Sequence, residues 1–137
     1  MAVIKNLIQT EADSSISFGN YELPVKKKLS DYEHCGNLYK VKTYSEITRL
    51  ERNEMFVYES VPGTTVSHLR YTDRGMEFFV EGPQDAQITV EGEGGTFYNV
   101  FINDVAREPQ KASLGGKISF SVELANEEAV HVLIEKA

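Results

Sequence analysis

Few side chains in this sequence could do chemistry. Histidine is the first to ask about, because its ring titrates near neutral pH and ligates metals. His34, His68 and His131 lie far apart, with no tight ligand spacing. His34 and Cys35 are neighbours, but successive strand residues point to opposite faces, so they could act together only on a bend at Gly36. The expectation there is a plain loop, with no metal and no thiol chemistry. The carboxylates offer same-face pairs, Glu77 with Glu81 and Glu91 with Glu93. A glycosidase needs two carboxylates at a set separation across a cleft, but among 21 acidic residues some such pair is inevitable. The solvated outer face of a strand accounts for Glu77 and Glu81 equally well.

Gly92 to Gly95 has the glycine density of a phosphate cradle. A cradle of that kind opens a helix, whereas β-formers follow here from Thr96 to Val100, so a hairpin turn is expected. Lys26-Lys27-Lys28, just after Pro24, is the densest basic run. It could bind an anion, but proline with lysine is also how an exposed edge strand is kept from unwanted pairing, and that is the favoured reading. The seven tyrosines could form a stacking platform for sugars. A strand tyrosine more often sits at a core edge with its hydroxyl in water.

The elements that must position these groups are strands. Alternation with period two runs through Ile16 and Phe18, through Tyr39, Val41 and Thr43, and through Met76, Phe78 and Val80. It is cleanest in Ala86, Ile88 and Val90, in Ile118, Phe120, Val122 and Leu124, and in Val130, Val132 and Ile134. All four prolines fall between apolar runs. Ser45 to Glu54 reads either as a short helix capped by Ser45 or as a strand turning at Asn53-Glu54, and the strand is favoured. The predicted fold is all-β: one domain over residues 1–137, an antiparallel sandwich or barrel of roughly ten short strands.

Composition narrows the partners. The net charge of −7 repels polyanions, so neither nucleic acid nor an anionic membrane is an expected partner. Cys35 is the only cysteine, which excludes an internal disulfide. Lys5 and Asn6 interrupt the apolar start, so no signal-peptide core is expected there, and a cytoplasmic location is the resulting expectation. No cofactor is expected.

The chain resembles a family of small all-β proteins from Gram-positive anaerobes, some of which carry the label endosialidase. The resemblance rests on residues 1–8 (MAVIKNLI), 17–21 (SFGNY), 38–43 (LYKVKT), 46–51 (EITRLE), 56–64 (FVYESVPGT), 85–89 (DAQIT) and 114–117 (LGGK). A sialidase propeller needs several four-stranded blades, and this chain has strands for two or three. It also lacks tryptophan, and Arg49, Arg52, Arg70, Arg74 and Arg107 are scattered. From about Gln87 onward the pattern is also similar to small β-sandwich modules appended to bacterial carbohydrate enzymes.

Several strands are apolar on both faces, Met55 to Val61 and Phe97 to Ile102 among them. Met55, Val57 and Val61 oppose Phe56 and Tyr58, and Phe97 and Phe101 oppose Tyr98, Val100 and Ile102. A two-layer sandwich covers one face of each sheet, so the second face should meet another copy or a partner. The expectation is a non-enzymatic β-sandwich acting by self-assembly or by binding a protein partner, with Phe56, Tyr58, Tyr98 and Val100 as interface candidates. The alternatives are a carbohydrate-binding module and a small glycan-active hydrolase or lyase.

Overall fold

The computed structural model describes residues 3–125 and 129–137. It is all-β, with no helix among them. The strands are β1 (Ile8–Thr10), β2 (Ile16–Phe18), β3 (Lys27–His34), β4 (Asn37–Tyr44), β5 (Ile47–Arg52), β6 (Met55–Val61), β7 (Thr65–Thr72), β8 (Gly75–Glu81), β9 (Ala86–Glu91), β10 (Phe97–Ile102), β11 (Val105–Ala106), β12 (Gln110–Lys111), β13 (Lys117–Val122) and β14 (Val130–Lys136). The four beyond the ten expected from alternation are β1, β3, β11 and β12. Three of these span only two or three residues, and β3 carries a register shift that hides its period.

Two antiparallel sheets form an open sandwich. The eight-stranded sheet runs β1-β2-β7-β8-β14-β10-β11, with β12 also pairing β10, and the six-stranded sheet runs β13-β9-β6-β5-β4-β3. Ser45 to Glu54 does contain a strand, β5, and its turn at Asn53-Glu54 takes φ of 51° and 67°. Two consecutive positive-φ residues form the hairpin turn whose twist matches its strands. Cys35-Gly36 turns β3 into β4 in the same way, with φ of 50° and 79°. Lys27 and Lys28 of the lysine run fall on β3, an edge strand, and Lys26 immediately precedes it.

The Gly92 to Gly95 expectation needs correction. It is not a hairpin, because β9 lies in the six-stranded sheet and β10 in the eight-stranded one. The glycines turn a corner between layers, and a Cβ on Gly94 would lie 2.8 Å from the Leu114 carbonyl oxygen. Val80-Glu81-Gly82 and Val90-Glu91-Gly92 are short sequence echoes, and each ends a strand from which the chain crosses to the other sheet.

The core sits between the layers. Val41, Leu50, Ile88 and Ile118 from one sheet meet Phe78, Val80, Val132 and Ile134 from the other. The ring of Tyr58 is held edge-on by Phe18 and Phe78 from the opposite sheet, with centroids 5.3 and 5.7 Å away. Such aromatic pairs each add about 0.5–1.5 kcal/mol beyond their burial.

Candidate functional site

The structure divides the four interface candidates. Phe56 faces outward, with the Arg49 guanidinium 5.2 Å and the Lys117 ammonium 4.7 Å from its ring centre. Tyr58, Tyr98 and Val100 are instead core residues, at most 4% exposed, and offer no surface. For β6 the reason is a bulge. Leu50 pairs with Tyr58 but Glu51 pairs with Phe56, so Val57 is an extra residue and the alternation flips. Tyr58 therefore points inward, while Met55 and Val61 reach solvent. For β10 the two-faced reading holds but the faces exchange: Tyr98 and Val100 fill the core, and Phe97 and Phe101 are left outside.

That exchange creates an apolar band on the solvent side of the eight-stranded sheet. Phe101 lies directly opposite Leu133. Leu133 faces Glu77, and Phe79 faces His131, so Phe79 is the diagonal neighbour of Leu133. The Phe79 and His131 rings are 5.0 Å apart. Phe79 and Leu133 were missing from the sequence reading. The signal for Phe79 was present: it is the aromatic residue out of phase with Met76, Phe78 and Val80.

Three clusters of ionisable groups on and around the eight-stranded sheet bear on function. At one open end of the sandwich, Arg52 of β5 contacts Glu91 of β9 at 3.1 Å, and Tyr71 of β7 donates its hydroxyl to the same carboxylate. The Arg52 guanidinium lies 4.6 Å from the Tyr71 ring centre. Although 43% of Tyr71 is exposed, its hydroxyl end is buried, and that burial together with Glu91 pushes its pKa up. The trio ties the two sheets together. On one side it borders a cleft of about 320 Å³, also lined by Arg74, Glu93, Tyr98 and Lys136. On the other is one of about 280 Å³ that includes His34, Cys35 and Tyr39. His34 and Cys35 do approach there, Nε2 to Sγ at 3.5 Å, across their turn.

The second cluster gathers Asp13, Ser15 and His68, residue types that elsewhere form a nucleophilic triad. The geometry differs. Ser15 donates both its backbone N–H and its hydroxyl to Asp13. His68 meets the serine oxygen at 3.1 Å and Asp13 at 3.5 Å through the same Nδ1. A relay needs the imidazole between serine and carboxylate, using both ring nitrogens. Here the carboxylate holds the serine directly. Those two bonds from Ser15 keep the Asp13 pKa low.

The third cluster lies beside the apolar band. His131 Nε2 bonds to Glu77 at 2.6 Å, and Arg70 holds the same carboxylate at 3.1 Å. The His131 hydrogen bond is the main reason the Glu77 pKa lies below its ordinary 4.5, with burial opposing it and Arg70 assisting. A carboxyl depressed in the folded state stabilises the fold above its unfolded pKa, and that contribution is lost as pH falls through the folded value. The expected result is that wild-type stability declines more steeply than that of Glu77→Gln as pH is lowered below 4.5. Urea melts at stepped pH read this out, and parallel curves would refute it. Glu81, paired with Glu77 in the sequence reading, is buried rather than on a solvated face. Among the described residues no group of three His, Cys, Asp or Glu is placed to hold a metal ion.

Compared with known proteins, this chain matches no family model, no curated protein and no solved structure.

Proposed function

We propose that this chain works as a non-enzymatic β-sandwich that pairs with a second copy of itself through the outward face of its eight-stranded sheet. The observation that carries this reading is the band of Phe79, Leu133 and Phe101 across three neighbouring strands. The solvent face of a sandwich sheet is ordinarily polar, and a contiguous apolar patch marks an interface. The charges beside it have both signs: Arg70 on one side, Glu77, Glu135 and Asp104 on the others. A two-fold contact must complement itself, and mixed charges around an apolar centre can do so.

Light scattering after gel filtration tests it. At tens of micromolar, the wild type is expected at twice the 15.4 kDa chain mass. Phe101→Lys should return it to the monomer, and Lys27→Glu, on the edge strand of the other sheet, should leave the dimer intact. A wild type of monomer mass would overturn the reading.

A carbohydrate-binding role ranks second. The cleft beside Tyr71 offers carboxylates to which sugar hydroxyls donate and cations from which they accept, but Arg52 covers one Tyr71 ring face and Tyr98 is buried. A sialic-acid-cleaving role has less support, because each of the five arginines has its own partner: Arg49 holds Glu51 and Glu59, Arg52 holds Glu91, Arg70 holds Glu77, and Arg74 and Arg107 bond to the carbonyls of Lys136 and Ser121.

A further inference from the structure

A row of like charges crosses the outward face of the six-stranded sheet. Lys28 of β3 stands directly opposite Lys42 of β4, and Lys42 directly opposite Arg49 of β5. Lys40, two residues along β4, faces Glu51. These side chains point to solvent, because Tyr39, Val41, Thr43, Thr48 and Leu50 take the inward positions of the same strands. Directly opposed residues approach to about 5 Å at Cβ, and like charges placed so are destabilising. The chain has 14 basic against 21 acidic residues, so such a row runs against its composition.

Protection of the sheet edge explains Lys26 and Lys27 but not this row, because β4 and β5 lie inside the sheet. Only Arg49 is compensated, holding Glu51 and Glu59 at 3.1 Å each. Among the described residues the ammonium groups of Lys28, Lys40 and Lys42 have no protein partner. Four cations against two carboxylates leave two positive charges in excess. They border a depression of about 50 Å³. Sites for drug-sized molecules run from roughly 300 Å³ upward, whereas water occupies about 30 Å³. The depression thus suits one small ionic group.

We propose that Lys28, Lys40, Lys42 and Arg49 bind a tetrahedral dianion of the phosphate class. Arg49 is fixed by its carboxylates, and the three flexible lysines close around the anion as point charges. The anion offsets the repulsion along the row. The group could be a free phosphate or the headgroup of an anionic lipid. The overall charge of −7 works against a lipid surface and so favours the free ion. The site is on the opposite sheet from the self-association face and does not depend on it.

Titration of the ¹⁵N-labelled protein with inorganic phosphate, in low-salt buffer free of other oxyanions, tests the proposal. Saturable shifts are expected at Lys28, Lys40, Lys42 and Arg49, and added salt should weaken them. Lys42→Glu should weaken binding by at least about tenfold, because it removes one attractive charge contact near 4 Å and puts a repelling charge in its place. Lys111→Glu should bind as the wild type does. The melting temperature of Lys42→Glu, expected at or above that of the wild type because the row is broken, shows that the variant is folded. Co-sedimentation with phosphatidic acid vesicles, on top of the phosphate shifts, would identify a lipid source, and phosphate shifts without it would identify the free ion. No saturable shift at these residues, or equal binding by Lys42→Glu, would overturn the site.

Discussion

Replacing Thr48 by Val is expected to lower stability by roughly 2–4 kcal/mol, although the two side chains have nearly the same shape. Thr48 is the hub of a buried hydrogen-bond chain. The Asn20 N–H donates to the Thr43 hydroxyl at 2.9 Å, and Thr43 and Thr48 share a bond of 2.8 Å. Thr48 donates to the Thr64 carbonyl at 2.8 Å and accepts from the Thr64 N–H at 3.1 Å. Each hydroxyl has one proton, so the bond to the Thr64 carbonyl fixes the direction: Thr43 must donate to Thr48. Thr43, Thr48 and Thr64 have no exposure. Valine leaves the Thr64 amide and carbonyl without these partners where water cannot replace them, and each orphaned group costs about 1–3 kcal/mol.

Tyr58→Phe should cost less, because the Thr64 hydroxyl keeps Ser60 at 2.8 Å after losing Tyr58. Thr89→Val, which breaks an exposed bond to Ser119, should stay within about 0.5 kcal/mol of wild type. For a chain of this length the Thr48 effect corresponds to a fall in melting temperature on the order of 10 °C. A Thr48→Val protein that melts with Thr89→Val would show that the network contributes nothing.

That network marks what the sequence concealed. Thr48, Ser60 and Thr64 read as ordinary strand polar residues, and nothing in their spacing says that they meet. They meet because the chain leaves β6 for the other sheet at this point and brings Thr64 against β5. Ser15 and Ser17 fail in the same way. They alternate with Ile16 and Phe18 as outward residues should, yet both are buried, because Glu11, Asp13 and His68 close over them. Where one face packs and the other stays wet, as in β9 and β13, the period alone was enough: Ile88, Val90, Ile118, Phe120 and Val122 all lie in the core.

The candidate surfaces were legible by half. The sequence shows that β10 is apolar on two faces, but its period cannot say which face meets the core. That choice is made by pairing with β14, which aligns Val100 with the inward Ile134 and Phe101 with the outward Leu133. The Val57 bulge inverted β6 for a related reason: an inserted residue shows only when the partner strand is known. The cationic row was invisible, because Lys28, Lys42 and Arg49 are distant in sequence and become neighbours only through the β3-β4-β5 register.

Gly63→Ala is expected to cost roughly 3 kcal/mol or more, above the usual range for one added methyl group. Gly63 lies between β6 and β7, and its N–H donates to the Ser45 carbonyl at 3.0 Å. A Cβ there would sit 2.0 Å from the Tyr44 carbonyl oxygen. The atom it meets is backbone at the end of β4, so it cannot rotate aside as a side chain would. Relief requires the crossover to move away from the β4-β5 turn. That movement strains the Ser45 hydrogen bond and shifts Thr64, the next residue, against the Thr48 hub. Gly36 separates this steric cost from a conformational one. It has φ of 79° and open space around its Cβ position, so Gly36→Ala carries only the left-handed penalty of about 1–2 kcal/mol. Urea unfolding of the two variants should therefore place Gly63→Ala clearly below Gly36→Ala. If the two midpoints coincided, close backbone approach would not be what requires glycine at Gly63. Failure of Gly63→Ala to fold under conditions where Gly36→Ala folds would agree with the expectation, and Gly63→Ser, which presents the same Cβ, should reproduce it.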